Sequence, residues 1–258
     1  MQPDVVAFDF DGVICDGLVE YFQTAWRAYC KLFKPKSLDP PIGLAEKFYP
    51  LRPVIETGWE MPMLLRALVS EQSEEDIIAG WPDLALSFLA ETTMSKAAAA
   101  DILDGERDHW IANDLDNWLA QHRFYPNLLK ILQASLEKRP TYIVSTKEGR
   151  FIQQLLKQSG MKMPSEKILG KEVKRPKYET LRLLTSKHAT DTQPPTIWFI
   201  EDRIKALQAV KQQSDLDHVA LFLADWGYNL EPERQTAQED NRIHLLSLDT
   251  VVQKFDTA

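Results

Sequence analysis

Val5-Val6-Ala7-Phe8-Asp9-Phe10-Asp11-Gly12-Val13-Ile14-Cys15-Asp16-Gly17 decides how the rest of this sequence reads. An apolar run stops at two carboxylates one residue apart, and a glycine follows. Such a run, closed by a turn signal, reads as a buried strand. The carboxylates then stand at its C-terminal end, where open α/β sheets place their ligands. Two anions held this close repel unless a cation or protons compensate. A hard cation that prefers oxygen ligands, such as Mg²⁺, fits that need. Asp9 becomes the candidate nucleophile and Asp11 the candidate acid/base.

Asp-x-Asp-Gly is also ordinary turn chemistry. It overlaps the start of a calcium loop, but the later acidic positions and the closing Glu are absent. The rest of the chain must therefore decide.

Beyond Gly17 the period changes. Leu18, Tyr21, Phe22, Ala25, Trp26, Tyr29 and Leu32 recur at helical spacing and mark one apolar face. Pro35, Pro40, Pro41 and Pro50 punctuate a loop-rich passage. Further helices are expected over about 52–69, 73–80, 82–89, 95–103 and 106–121, with no convincing strand between about 18 and 124. After Pro126 the pattern alternates. Helices are expected over 128–136, 151–158, 178–186 and up to about 213. Strands are expected at 141–144, 168–169, 196–200, 218–223 and 243–246. Alternating strands and helices imply βαβ units and a parallel sheet. The fold expected is a doubly wound α/β core built from 1–17 and 125–258, with a helical domain, 18–124, inserted into it.

Composition narrows the function classes. The 258 residues carry a formal charge of −8, which argues against nucleic acid or an anionic membrane surface as the main partner. No apolar run has the roughly 18 residues of a membrane span. The two cysteines, Cys15 and Cys30, lack metal-ligand spacing and read as buried or half-buried thiols. The first strand begins almost at once, without a charged-then-apolar leader, so a cytoplasmic or stromal location is expected. A monomer and a homodimer are both open.

Three expected strand ends carry related chemistry: Asp9 and Asp11, then Ser145 and Thr146, then Glu201 and Asp202. In a parallel sheet all three lie on one edge. The basic segment Lys171-Glu172-Val173-Lys174-Arg175-Pro176-Lys177 precedes a helix, with Pro176 suited to its first position. A helix N-terminus with an added lysine attracts anions. A nucleophile, a metal site, a hydroxyl and a cation are what phosphoryl transfer requires. Singly, each has a plainer use: Ser145 as a turn cap, Glu201-Asp202 as a helix cap, the basic segment as an exposed loop.

In this order the elements resemble the haloacid dehalogenase superfamily of hydrolases, in particular its phosphatase-like members. Phe8 to Val13 is similar to the first motif, and Tyr142 to Ser145 to the second. Lys177 is similar to the third, with Lys174 the alternative, and Phe199 to Asp202 to the fourth. The helical insert is similar to a cap domain. The resemblance implies that Asp9 attacks phosphorus and forms an aspartyl-phosphate. Asp11 protonates the leaving oxygen and then activates water. Ser145 donates a hydrogen bond to a phosphoryl oxygen, and Lys177 offsets the charge of Asp9 and the phosphate. Mg²⁺ is held by Asp9, the carbonyl of Asp11 and Asp202, with Glu201 a further candidate.

The sequence departs from that pattern in places. Position 13 is Val where many members have Thr. The fourth motif reads Glu201-Asp202-Arg203, with Lys205 and Ala206 where a second Asp would follow. Having Asp11 disfavours a dehalogenase, which needs no acid at that place. The substrate expected is a small phosphorylated metabolite. A sugar phosphomutase, and a non-catalytic protein that binds a phosphorylated ligand or a protein partner, are the alternatives. A cap would set substrate choice. Arg52, Glu56 and Glu60, in the unusual segment 52–61, are candidate substrate contacts or simply charges at a helix start. Thr146 is a further candidate contact. Asp225-Trp226-Gly227-Tyr228-Asn229 reads as a pocket rim or as a turn over the core.

Overall fold

The computed structural model describes residues 2–190 and 193–256. In chain order the elements are β1 (Val5–Phe8), β2 (Cys15–Asp16), α1 (Leu18–Phe33), α2 (Leu44–Leu51), α3 (Glu60–Val69), α4 (Glu74–Glu91), α5 (Lys96–Asn113) and α6 (Leu115–Ala120). Then come β3 (Arg123–Phe124), α7 (Leu128–Lys138), β4 (Thr141–Val144), α8 (Gly149–Gln158), β5 (Ile168–Leu169), α9 (Lys177–His188) and β6 (Ile197–Glu201). The chain closes with α10 (Ile204–Lys211), β7 (Val219–Ala224), α11 (Glu231–Glu239), β8 (Ile243–Leu246) and α12 (Leu248–Asp256). Two compact units result, one of 1–16 with 123–258 and one of 17–122.

The first unit is a six-stranded sheet in the order β5-β4-β1-β6-β7-β8, with every pairing parallel. This is the doubly wound α/β core that the alternating pattern predicts. The chain winds outward from β1 through β4 to β5, then returns to the other side of β1 to lay down β6, β7 and β8. The order reverses at β1, so the loops after β4, β1 and β6 open side by side at a topological switch point.

The strands are apolar on both faces, as a sheet covered on both sides requires. Val5, Ala7, Val144, Phe199, Leu221 and Leu223 pack with Leu181 and Leu184 of α9 and with Leu207 and Val210 of α10. The alternate residues face the other way. Phe8 stacks on Phe255 of α12 at 5.5 Å, and Trp198 meets the same ring edge-on at 5.5 Å. A fully buried side chain of this size contributes about 1.5–3 kcal/mol. The sheet is thereby a rigid base for the loops at its edge.

The second unit is helical. Glu20 of α1 is fully buried; its Oε1 accepts from Arg107 Nε of α5 at 2.8 Å and from Thr24 Oγ1 at 2.7 Å. Breaking such a buried pair on one side costs about 3–5 kcal/mol. Among the described residues no helix is long and apolar enough to cross a membrane.

Several boundaries differ from the sequence reading. The passage read as loop-rich contains α2, and the helix expected over 52–69 begins only at Glu60. Pro53 and Gly58 break it, leaving one 3₁₀ turn at Arg52–Val54. The helices expected at 73–80 and 82–89 are one element, α4, kinked at Gly80, where φ is −123°. Pro82, two residues on, cannot continue the regular hydrogen-bond ladder. Helix α5 runs on through Gly105, and Asp114 then caps α6 by accepting from Asn117 N. The strand β3 lies inside a stretch expected to hold none; at two residues it is too short to show a period. Helices α11 and α12 carry too many polar residues to stand out. Pro176 sits just outside α9, with Lys177 the first helical residue.

Candidate active site

Asp9 and Asp11 lie just past β1, Ser145 and Thr146 just past β4, and Glu201 and Asp202 at the end of β6. Parallel pairing of β1 with β4 and with β6 brings these three ends together. The backbone after β1 folds back at once, with Ile14 N and Cys15 N both 2.9 Å from Phe10 O. Gly12 permits this turn at φ +82°, and a β-carbon there would overlap the Asp202 carboxylate.

Asp9 is 6% exposed, and its Oδ1 accepts from Phe10 N at 2.7 Å. Its Oδ2 lies 2.8 Å from Lys177 Nζ. The same ammonium lies 2.6 Å from Glu201 Oε2. The other oxygen of Glu201 accepts from Asp202 N at 3.1 Å and Arg203 N at 3.0 Å. Lys177 therefore stands between Asp9 and Glu201. Lys174, the alternative lysine, is exposed, with a left-handed φ of 49°.

Asp202 is 1% exposed and is braced from the loop after β7. Tyr228 N donates to its Oδ2 at 2.8 Å, and Asn229 Nδ2 donates to its carbonyl at 3.0 Å and to Ala224 O at 2.8 Å. Tyr228 also bonds Asp16 Oδ1, and Trp226 Nε1 donates to Val13 O. The segment read as a rim or a turn is a brace that ties the loops after β1 and β6 together. Sequence reasoning flagged its composition but could not supply these partners.

One carboxylate oxygen from each of Asp9, Glu201 and Asp202 lies within 4.8 Å of the others. Burial pushes all three carboxyls up to about 6. Lys177 works against this for Asp9 and Glu201, while Asp9 adds to it for Asp202. Burial disfavours the Lys177 ammonium too, but Asp9 and Glu201 outweigh it and hold its pKa above the ordinary lysine value. A buried carboxylate cluster with one shared ammonium is still short of positive charge, and oxygen donors suit a hard divalent cation.

Ser145 is buried, its N–H bonded to Leu169 O and its hydroxyl close enough to Asp9 to stabilise that carboxylate. Thr146 is exposed beside it. Lys147, which sequence reasoning did not single out, reaches Asp11 with Nζ at 3.2 and 3.3 Å from the two carboxyl oxygens. Burial pushes the Cys15 thiol well above its ordinary value, as expected of an inert core thiol.

Arg52, Glu56 and Glu60 belong to the helical unit. Arg52 Nη1 donates to Ile55 O at 3.0 Å, and its guanidinium lies over the Tyr21 ring. Glu60 accepts from Glu56 N at 2.8 Å, Thr57 Oγ1 at 3.0 Å and Trp81 Nε1 at 3.1 Å. Those bonds give Glu60 a local task at the start of α3.

A family model described as haloacid dehalogenase-like hydrolase matches residues 3–212. No curated protein sequence matches the chain. Among solved structures, the fold is similar to a haloacid dehalogenase-like family hydrolase from Streptococcus pneumoniae (TM-score 0.59, 14% identity, 98% of each chain covered). It is also similar to a predicted phosphatase from Clostridium acetobutylicum (TM-score 0.60, 13% identity, 100% of each chain). A third is a predicted phosphoglycolate phosphatase from Haemophilus somnus (TM-score 0.61, 14% identity, 98% of each chain).

Proposed function

The chain belongs to the haloacid dehalogenase-like hydrolase family, and from that premise we propose that it is a Mg²⁺-dependent phosphatase of a small phosphorylated metabolite. The observation that carries this reading is the grouping of Asp9, Lys177, Glu201 and Asp202, with Ser145, at one switch point of the sheet. Asp9 and Asp202 would supply oxygen ligands to the cation, joined by the backbone carbonyl of Asp11, with Glu201 a further candidate. The cation would offset the cluster's negative charge and that of the arriving phosphate.

This chain's own groups do the rest. An Asp9 oxygen attacks phosphorus, and the phosphorus–ester oxygen bond breaks. Asp11 gives its proton to the departing oxygen. Asp11 then takes a proton from the water that attacks the aspartyl-phosphate, which releases phosphate and restores Asp9. Lys177 keeps Asp9 anionic and aimed; Ser145 donates to a phosphoryl oxygen. Phosphoglycolate belongs in the first substrate panel, because a structural neighbour carries that name.

Phosphate release from aryl and metabolite phosphates, with Mg²⁺ and with chelator, tests the reading against Asp9→Asn. Metal-dependent turnover that Asp9→Asn abolishes is expected. Folded protein that turns over no ester with Mg²⁺ present would overturn it.

A further inference from the structure

Lys147 lies on the four-residue loop Ser145-Thr146-Lys147-Glu148 that joins β4 to α8. That loop is fixed on both sides. Lys147 N donates to Ser145 Oγ at 3.3 Å, and Lys147 O accepts from Lys171 N at 2.9 Å. Gly149 N donates to Glu172 Oε2 at 3.0 Å. From this tethered backbone the lysine side chain, 8% exposed, crosses to the loop after β1. Its ammonium is nearly equidistant from the two Asp11 oxygens, at 3.2 and 3.3 Å. Contact with both oxygens fixes the direction of the carboxyl group. An ammonium can donate to a carboxylate or to the carbonyl oxygen of a protonated carboxyl. The ionised carboxylate can accept at both oxygens, and the protonated carboxyl keeps the contact at its carbonyl oxygen.

We propose that Lys147 is a positioning residue for Asp11, holding that carboxyl toward the leaving-group oxygen so that proton donation coincides with cleavage of the ester bond. This rests on the phosphatase reading above. Lysine is suited to the task because it is a compact charge on a long stem, and its reach here spans two strand ends. A phosphate-binding lysine would be felt equally by every ester. A lysine acting through the acid is felt in proportion to the leaving group's need for a proton.

The test measures kcat/KM for a series of phosphate monoesters, from activated aryl to alkyl, with wild type, Lys147→Met and Lys147→Arg. This ratio reports steps up to loss of the leaving group. Lys147→Met is expected to lose about 100-fold on alkyl esters and less than about 3-fold on the most activated aryl ester. Lys147→Arg should recover most of the alkyl activity. Equal loss on all esters, or no loss, would overturn the proposal. If circular dichroism shows Lys147→Met unfolded, Lys147→Gln carries the same comparison; loss of the fold in both would make the residue structural and end the proposal. Wild-type protein inactive on every ester would instead remove the phosphatase reading itself.

Discussion

Lys177 Nζ lies 2.6 Å from Glu201 Oε2, a shorter contact than the 2.8 Å it makes to Asp9 Oδ2. Glu201 is fully buried, and its other oxygen serves Asp202 N and Arg203 N. Glu201 thus anchors the lysine that faces Asp9. Glu201→Gln leaves a single oxygen acceptor, so its NH2 must face either the Lys177 ammonium or the two backbone N–H groups. The expected cost is about 2 kcal/mol, below the range for deleting one side of a buried pair. Thermal melts should show it as a drop of roughly 4–8 °C. Titration calorimetry should find Mg²⁺ affinity weakened less than in Asp202→Asn; the opposite order would make Glu201 the more direct ligand.

Gly12 offers a sharper test of how tightly the loops after β1 and β6 are packed. Its φ of +82° disfavours a side chain, and any β-carbon would overlap Asp202. Gly12→Ala should therefore displace the Asp202 carboxylate as well as strain the backbone, by about 1–3 kcal/mol for the strain. We expect more than about 100-fold loss of turnover. Calorimetry should detect no Mg²⁺ binding at concentrations that saturate wild type. A Gly12→Ala protein with unimpaired Mg²⁺ binding would show that Asp202 does not hold the cation.

Much of this was readable from residues. Val5 to Phe8 and Ile197 to Glu201 are apolar runs cut off by carboxylates, so the strands and the acids were visible together. A basic segment before a helix pointed to a cation there, with Lys177 preferred on the family resemblance and Lys174 left open. What escaped depends on pairing across long sequence separation. Lys147 is 136 residues from Asp11, and no local period records that contact. Strand β3 is two residues long and exists only by pairing with β2. The kink of α4 at Gly80 was half visible: helices were expected over 73–80 and 82–89, but not that they form one element.

Asn229 is a side chain whose importance lies entirely in what it joins. It is 5% exposed, and its amide donates to the carbonyls of Asp202 and Ala224. Its Oδ1 accepts from Arg234 Nη1 at 3.0 Å. Asn229→Ala takes the amide donor from the buried Asp202 carbonyl and one of two donors from Ala224 O, and leaves Arg234 Nη1 only the backbone carbonyl of residue 229. A loss of about 2–3 kcal/mol is expected from such unmade bonds. Asn229→Asp keeps the acceptor but gives up the amide donors and brings another negative charge beside Asp202. It should lower turnover more than stability. Denaturant melts beside steady-state kinetics separate the two effects. Equal stability of Asn229→Ala and wild type would mean that the loop after β7 is not the brace described.

The carboxyls of Asp9, Glu201 and Asp202 give the metal-free protein a specific pH dependence. Burial raises all three to about 6. A carboxyl raised on folding holds its proton longer in the folded state than in the unfolded one. Its contribution to stability is fully present below the ordinary carboxylate value near 4. That contribution fades as pH rises through about 6. Lys177, raised as well, keeps its proton throughout this window and does not reverse the trend. A bound divalent cation acts oppositely, since it favours the ionised carboxylates. In chelator, melting temperature should therefore fall between pH 5 and pH 8 by more than in Asp202→Asn, which removes one of the three groups. With saturating Mg²⁺ the stabilisation should be greater at pH 8 than at pH 5, reaching about 2.7 kcal/mol at a hundredfold excess over Kd. The comparison uses differential scanning fluorimetry at fixed ionic strength. Equal stabilisation by Mg²⁺ at both pH values would mean that the cation is not held by these carboxylates.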